Sequence, residues 1–433
     1  MRHTIGIRHE DKYAMERRVA ITPTHVTKLT KEGLHFQVES SPKRVFSDES
    51  FRLAGADIVS DLSASDVIFG VKEMPASFFE SEKTYIFFSH VIKGQPYNMP
   101  MLRALIEKQG NLIDYEKIEN EEGKRLIFFG KFAGLAGAIN SLWAYGQRLN
   151  AMGKANPFSD LKQSHKYQSL DEAKQAVSAA GRRIAHEGMP KAQAPLVIGF
   201  TGYGNVSIGA QEIVNLLPGM EISPNQLLEL DLESIPPNVV IKVIFKENDL
   251  SKPVNESDAF DLQHYYQHPE AYESQFEQYI PKLSILLNCM YWDSRYPRIV
   301  TKDYLQKLYA KGEPRLKVIG DITCDPDGSI ECTHKGTAIE DPVFVYDPEE
   351  RSPRMGFQGH GVLVMAVDIL PSELPREASI SFADALLPFV KAIAEADYQA
   401  DYEQLNLPSP IKKALIVHKG KLTPPFAYIE KYL

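Results

Sequence analysis

The sequence predicts an α/β protein made of two Rossmann-like domains with parallel sheets, a cleft between them, and C-terminal helices that return to the first domain. Three observations predict it. Short apolar runs alternate with helical patterns along most of the chain, which implies mostly parallel sheets covered on both faces. A glycine-rich turn follows the run LVIGF in mid-chain and opens a helix. From Gly361 to about Ala396 the apolar pattern is helical, broken by Pro371 and Pro375.

Along the chain, Thr4 to Ile7 reads as a strand, and Thr22 to Glu32 as a helix with Thr22 as cap and Pro23 at its first position. Strands are expected at His35–Glu39, Asp66–Val71, Lys83–Ser89 and Asn111–Tyr115, with a helix at Met99–Gln109. An Ala- and Gly-rich helix, Phe132 to Leu149, has small residues spaced for close packing, and a second helix runs from Ser169 to Ala185. Strand–helix alternation resumes at Val239–Phe245, Leu283–Asn288 and Lys317–Gly320. The division expected is residues 1–135 plus 340–433 as a substrate domain, and 136–339 as a dinucleotide-binding domain.

Composition bounds the function. The 433 residues are 43% hydrophobic and 24% charged, values of a globular chain. A net charge of −9 leaves no basic excess for a nucleic-acid partner. No run of eighteen apolar residues spans a membrane, and the N-terminus has no secretory apolar region. The three cysteines, Cys289, Cys324 and Cys332, match no zinc spacing, so no metal is expected and a reduced, cytoplasmic compartment is. Monomer and homodimer both stay open.

Four constellations carry chemistry. In Gly202-Tyr203-Gly204-Asn205-Val206-Ser-Ile-Gly209, the first glycine permits a tight turn, the second lets backbone approach a pyrophosphate, and the helix N-terminus offers free N–H groups. The third glycine falls two residues late, with Ser207 in its usual place. The next strand, around Met220 to Ser223, ends without a clear carboxylate for a ribose. Asp231 is the nearest candidate. A missing carboxylate removes a repulsion against a 2′-phosphate, so NADPH is the expected cofactor and NADH the alternative. Lys72-Glu73 after DVIFGV, and His90 with Lys93 after TYIFFS, stand at the C-terminal ends of expected strands, where open α/β sheets bind ligands. A lysine and a histidine there can do acid–base work. Arg18 in ERRVAITP offers a fork for a carboxylate, and Glu116 after NLIDY can hold a cationic group.

Taken together, ERRVAITP, GVKEMP, FFSHVIKGQPYNMP, LIDYEK, FTGYGNVSIGAQ and LPSELPREAS resemble, in order and spacing, the lysine–oxoglutarate reductases and fungal-type saccharopine dehydrogenases. These are relatives of alanine dehydrogenase and of the NAD-binding subunit of transhydrogenase. The resemblance runs over essentially the whole chain and is closest to the reductase half of the bifunctional lysine-degrading enzyme. It implies an NAD(P)-dependent oxidoreductase that condenses L-lysine with 2-oxoglutarate and reduces the imine to saccharopine, or the reverse. It implies that Lys72 and His90 are the acid–base pair and that Arg18 binds a substrate carboxylate. Glu73 and Glu116 then lie near the lysine amines, Lys93 counts with the substrate-binding candidates, and Asp325 and Asn288 stand beside the cofactor. An alanine-dehydrogenase-like reaction with ammonia and a non-catalytic nucleotide-binding module are the two alternatives.

Overall fold

The computed structural model describes residues 4–433. The chain forms two compact units, one from the residues up to Phe129 together with Pro375–Leu433, the other from Gly130–Leu374.

The first unit begins with six parallel strands: β1 (Ile5–Ile7), β2 (Phe36–Glu39), β3 (Asp57–Val59), β4 (Val67–Phe69), β5 (Thr84–Phe87) and β6 (Asn111–Asp114). Helices α1 (Pro23–Lys31), α2 (Asp48–Leu53) and α3 (Met99–Glu107) connect them. Pro23 starts α1 as expected, and its buried face is His25, Val26 and Leu29. Thr22 makes no capping bond, because its hydroxyl pairs with His25 Nδ1 at 2.7 Å. The runs VIF and TYIF are buried throughout, as strands covered on both faces require.

The second unit opens with helices α4 (Gly130–Ala151) and α5 (Leu170–Glu187), then strand β7 (Leu196–Thr201), helix α6 (Asn205–Val214) and strand β8 (Gly219–Ile222). Helix α7 (Pro224–Glu229), strand β9 (Val240–Phe245) and the short helices α8 (Glu247–Leu250) and α9 (Leu262–Gln267) come next. Strands β10 (Ser251–Pro253) and β11 (Tyr272–Ser274) form a separate antiparallel pair. Strand β12 (Ile285–Asn288), helix α10 (Lys302–Tyr309), and strands β13 (Val318–Asp321), β14 (Val343–Asp347), β15 (Ser352–Met355) and β16 (Val362–Met365) complete the unit. The sheet order is β15-β14-β16-β13-β12-β7-β9-β8. Strand β8, the first after the glycine-rich turn, therefore pairs with β9 at the edge, and β9 takes the place beside β7.

The chain then returns to the first unit through helices α11 (Pro375–Glu395) and α12 (Ser409–Lys413) and strands β17 (Leu415–His418) and β18 (Lys421–Leu422). The full order there is β18-β17-β6-β5-β4-β1-β2-β3, with β17 antiparallel to β6. Phe382, Leu386, Val390 and Ile393 of α11 join the core formed by Ile5, Ile7, Val26 and Phe36.

Two expectations are corrected. The second unit ends at Leu374 rather than at residue 339, because β14, β15 and β16 belong to its sheet. It begins at Gly130 rather than 136, because α4 starts there. The pattern from Gly361 is likewise not all helix: Val362–Met365 is a fully buried strand between β13 and β14, and the helix starts only at Pro375. A short apolar run has no period by which to tell the two apart. Both sheets are parallel over most of their width, as expected, with antiparallel strands at one end of each.

Helices α4 and α6 meet where both carry glycine. A Cβ on Gly134 would fall on the Val206 carbonyl oxygen, and one on Gly209 on the Lys131 carbonyl oxygen. The late third glycine of the motif thus serves helix–helix packing. Gly134→Val must push two backbones apart, and is expected to cost about 3 kcal/mol or more in urea unfolding. A loss under about 1 kcal/mol would mean that the helices do not touch here.

Candidate functional site

In the first sheet the strand order reverses between β1 and β4, since β2 and β3 lie on one side and β4, β5 and β6 on the other. Loops leaving the carboxyl ends of strands diverge at such a point and leave a crevice. Four sequence-predicted residues leave β4 and β5 at this end: Lys72 and Glu73 after β4, His90 and Lys93 after β5.

Glu73 is their centre. Its side chain is 7% exposed, and its Oε1 receives His90 Nδ1 at 2.8 Å and Lys12 Nζ at 2.6 Å. Burial pushes this carboxyl up, but the hydrogen bonds and charge of His90 and Lys12 outweigh it and hold the pKa at about 2. Glu73 Oε2 is buried and meets no hydrogen-bond partner among the described residues. His90 sits in the left-handed backbone region, φ 50°, and Asn98 Nδ2 donates to the carbonyls of Ser89 and His90 at 3.0 and 3.2 Å. Ser89 donates through both N–H and hydroxyl to Asp114 Oδ2, while Asp114 Oδ1 accepts Glu116 N–H at 2.8 Å.

The segment between β1 and α1 contributes residues that local sequence pattern does not single out. Glu10 accepts the backbone N–H groups of Val71 and Lys72. Arg18 is 4% exposed, and Glu16 takes its Nε and Nη2 at 2.8 and 2.6 Å. Its guanidinium lies 4.1 Å above the Phe129 ring. Burial raises the Glu16 carboxyl, but Arg18 overrides it and holds the pKa below the usual range. Half of the Arg18 fork is thus committed, and Nη1 makes no hydrogen bond within the described residues. Lys72 Nζ lies 5.8 Å from the Tyr13 ring and within reach of the Glu16 charge. Carboxylates and cations do crowd the eleven residues RHEDKYAMERR after β1, but that crowding alone does not tell an inward loop from a solvated one. Two predicted residues stand apart from this cluster: Glu116 is ion-paired with Arg125, and Lys93 is exposed in the turn Val91–Gly94.

In the second sheet the order reverses between β7 and β12, and the glycine-rich turn sits there. Gly202 has φ 80°, where a side chain would be strained, and a Cβ on it would stand 3.3 Å from Met290 Cα. Gly204 is the N-cap of α6, and a Cβ on it would meet nothing within 4 Å. Backbone beside Gly204 is therefore open to a ligand, and Asn205 and Val206 come next with amide groups that no earlier turn of α6 can use. A cavity of about 300 Å³ adjoins them, lined by Gly202, Tyr203, Gly204, Glu247, Tyr266 and Tyr291 among others. This geometry fits a dinucleotide: flexible backbone at the turn, an open helix end, and aromatic walls.

The acidic residue in that cavity is Glu247. It stands two residues past the end of β9, and it accepts from the Tyr266 and Tyr203 hydroxyls at 2.7 and 3.4 Å. Asp231 stands apart from it: it is exposed, caps the turn Leu232–Ser234 by accepting Glu233 N–H at 3.0 Å, and does not line the cavity. The reason is the exchanged strand order, which puts the end of β9 beside β7. Asn288 also lies outside the cavity lining. It is fully buried: Oδ1 accepts from Thr201, and Nδ2 lies 2.8–2.9 Å from Asp321 Oδ1 and the Thr323 and Ser329 hydroxyls. It holds the ends of β7, β12 and β13 together rather than presenting an amide to a ligand. Asp325 is exposed on the turn after β13, where its carbonyl accepts Gly328 N–H at 3.0 Å. The three cysteines are free thiols. Among the described residues no group of three or more His, Cys, Asp or Glu can hold a metal ion, and no helix is long and apolar enough to cross a membrane.

Comparison with known proteins agrees with this architecture. The alanine dehydrogenase/PNT N-terminal domain matches residues 6–136, and the C-terminal domain of the same family matches residues 262–425. Alpha-aminoadipic semialdehyde synthase of Arabidopsis thaliana is 40% identical over 99% of the chain, which spans 41% of that relative's length. Saccharopine dehydrogenase [NAD(+), L-lysine-forming] of Neurospora crassa is 28% identical, with 89% of each chain covered. Among solved structures, an L-alanine dehydrogenase superposes with a TM-score of 0.64 over 99% of both chains at 17% identity, a likeness of fold. Two domain matches in the family's order, over about two thirds of the chain, make this protein a member of the alanine dehydrogenase/PNT family.

Proposed function

We propose that the protein is a nicotinamide-dependent oxidoreductase of lysine metabolism, which condenses L-lysine with 2-oxoglutarate and reduces the resulting imine to saccharopine, or runs the reverse. The observation that carries the reading is Glu73, a buried ionised carboxylate that orients His90 through one oxygen and keeps the other unpartnered. A substrate ammonium supplies the donor which that oxygen lacks. Saccharopine and L-lysine, printed in the name of the Neurospora crassa relative, support the same reading.

The ε-amine of lysine must be neutral to attack the ketone, so a proton has to leave it. The carbinolamine must then gain a proton to lose water, and the imine is reduced in its protonated form. Lys72 and His90, on the ends of neighbouring strands, move these protons. Glu73 fixes the His90 ring through Nδ1, which leaves Nε2 for the transfer. Arg18 Nη1 takes a carboxylate of the oxo acid while Glu16 holds the rest of the fork in place. A bound nicotinamide supplies the hydride. Gly202, Tyr203, Gly204, Asn205 and Val206 would hold its pyrophosphate, and Glu247 the hydroxyls of the adenosine ribose. A carboxylate there repels a 2′-phosphate, which reverses the expectation of NADPH and favours NADH.

The test mixes purified protein with NADH, 2-oxoglutarate and L-lysine and follows the nicotinamide absorbance. Lysine-dependent oxidation is expected, and oxidation with ammonia and pyruvate instead would move the reading to an alanine-dehydrogenase-like reaction. Lys72→Met and His90→Gln should each lower kcat about 100-fold or more. Near-normal turnover in both would remove the acid–base assignment.

A second measurement concerns the cofactor. Glu247→Ala should weaken NADH binding about tenfold or more by calorimetry, as loss of a charge-assisted hydrogen bond does. Asp231→Ala should leave it unchanged. The opposite pattern would return the ribose to Asp231.

A further inference from the structure

Glu10 is a fully enclosed carboxyl group to which the acid–base steps above give no role. It comes after β1 in Arg8-His9-Glu10 and is 4% exposed. Oε1 accepts Val71 N–H at 2.7 Å, and Oε2 accepts Lys72 N–H at 2.9 Å. The last backbone bond between β1 and this side of the sheet is Arg8 N–H to Phe69 O at 2.9 Å. Beyond it the chain leaving β4 is tied to the β1 side by the Glu10 carboxylate, and that stretch of chain carries Lys72 and Glu73.

We propose that Glu10 is a positioning residue whose carboxylate fixes the Val71–Lys72 backbone and so aims Lys72 and Glu73, and whose protonation loosens that hold. The inference rests on the reading of Lys72 as an acid–base group. A carboxylate offers two acceptors to two N–H groups, whereas a protonated carboxyl turns one of its oxygens into a donor. Glu16 and Arg8 face Glu10 from its own segment, the Val71 and Lys72 backbone N–H groups from the chain leaving β4, and Tyr115 from the end of β6. Burial, reinforced by the Glu16 charge, raises the carboxyl to about 7, against the pull of Arg8 and the two backbone donors. A raised carboxyl favours the fold most below its ordinary pKa of 4.5, and that contribution is lost as pH rises through about 7. The ionised, aligned form therefore accumulates as pH rises through neutrality.

The experiment uses the full chain and two readouts. The first is kcat from pH 5.5 to 9 for wild type, Glu10→Gln and Glu10→Asp. Glu10→Gln should lower kcat about tenfold or more and remove the inflection near pH 7, with KM for the nicotinamide unchanged. Glu10→Asp, which keeps the charge, should recover part of the rate and the inflection. The second is hydrogen exchange of the Val71 and Lys72 amides, which needs no substrate. It should slow as pH rises through 7, relative to the intrinsic rate, in wild type but not in Glu10→Gln. Wild-type kcat and pH profile in folded Glu10→Gln, or unchanged exchange at both amides, overturns the proposal. A wild type inactive with lysine whose exchange still responds to Glu10 overturns the functional reading and leaves the tie standing.

Discussion

Parallel strands that end side by side have no hydrogen-bond ladder beyond their last residue, and the chain leaving each of them is free to splay. In the first unit, buried carboxylates close that gap. Glu10 joins the end of β1 to the chain leaving β4. Glu73, after β4, reaches His90 after β5, and Asp114, at the end of β6, takes the Ser89 backbone and hydroxyl after β5. The neighbouring pairs β1–β4, β4–β5 and β5–β6 are thus each stitched by one carboxyl group. Because a buried charge is costly without donors, each group dictates where the next chain segment must run. The positions of Lys72 and His90 are consequences of this stitching.

The second unit meets the same need with fewer charges. Thr201, Asn288 and Asp321 stand opposite one another in register at the ends of β7, β12 and β13. Hydroxyls and one amide satisfy the single carboxyl: Thr333 donates at 2.6 Å and Asn288 at 2.8 Å. Burial raises Asp321, and these bonds oppose it. Such a row supports the glycine-rich turn without adding an exposed anion beside a site suited to phosphates.

This construction decides how far the chain can be read from its residues. Strand ends were legible, because VIF and TYIF are short apolar runs with Lys72-Glu73 and Ser89-His90 close behind them. Gly202 and Gly204 were legible, because a strand, a turn and a helix succeed one another without interruption. Glu247 was not: its place beside the glycine-rich turn depends on β8 and β9 exchanging places, a matter of sheet order and not of local pattern. Asn288 at a strand end looks the same on paper whether its amide faces a ligand or three buried partners. Glu10, Lys12 and Glu16 were hidden for a related reason. Nothing in RHEDKYAMERR announces that a charged loop folds inward, since its burial is created by β4, β6 and Phe129, far away in sequence.

The first sheet contains strands from both extremes of the sequence: β1 spans Ile5–Ile7, and β17 spans Leu415–His418. A ribosome releases these segments far apart in time. At about 5–20 residues per second, the partner of β6 emerges on the order of twenty seconds or more after β6 itself. During that interval the second unit is free to fold as a local piece, while β6 keeps an unpaired edge and the core around Ile5, Ile7 and Phe36 lacks the cover of α11. Closing so long a loop is slow, and open strand edges invite other chains. The protein's hazard in the cell therefore lies in the wait for its last helix and strand, and conditions that shorten the wait or cover the edge of β6 favour its yield.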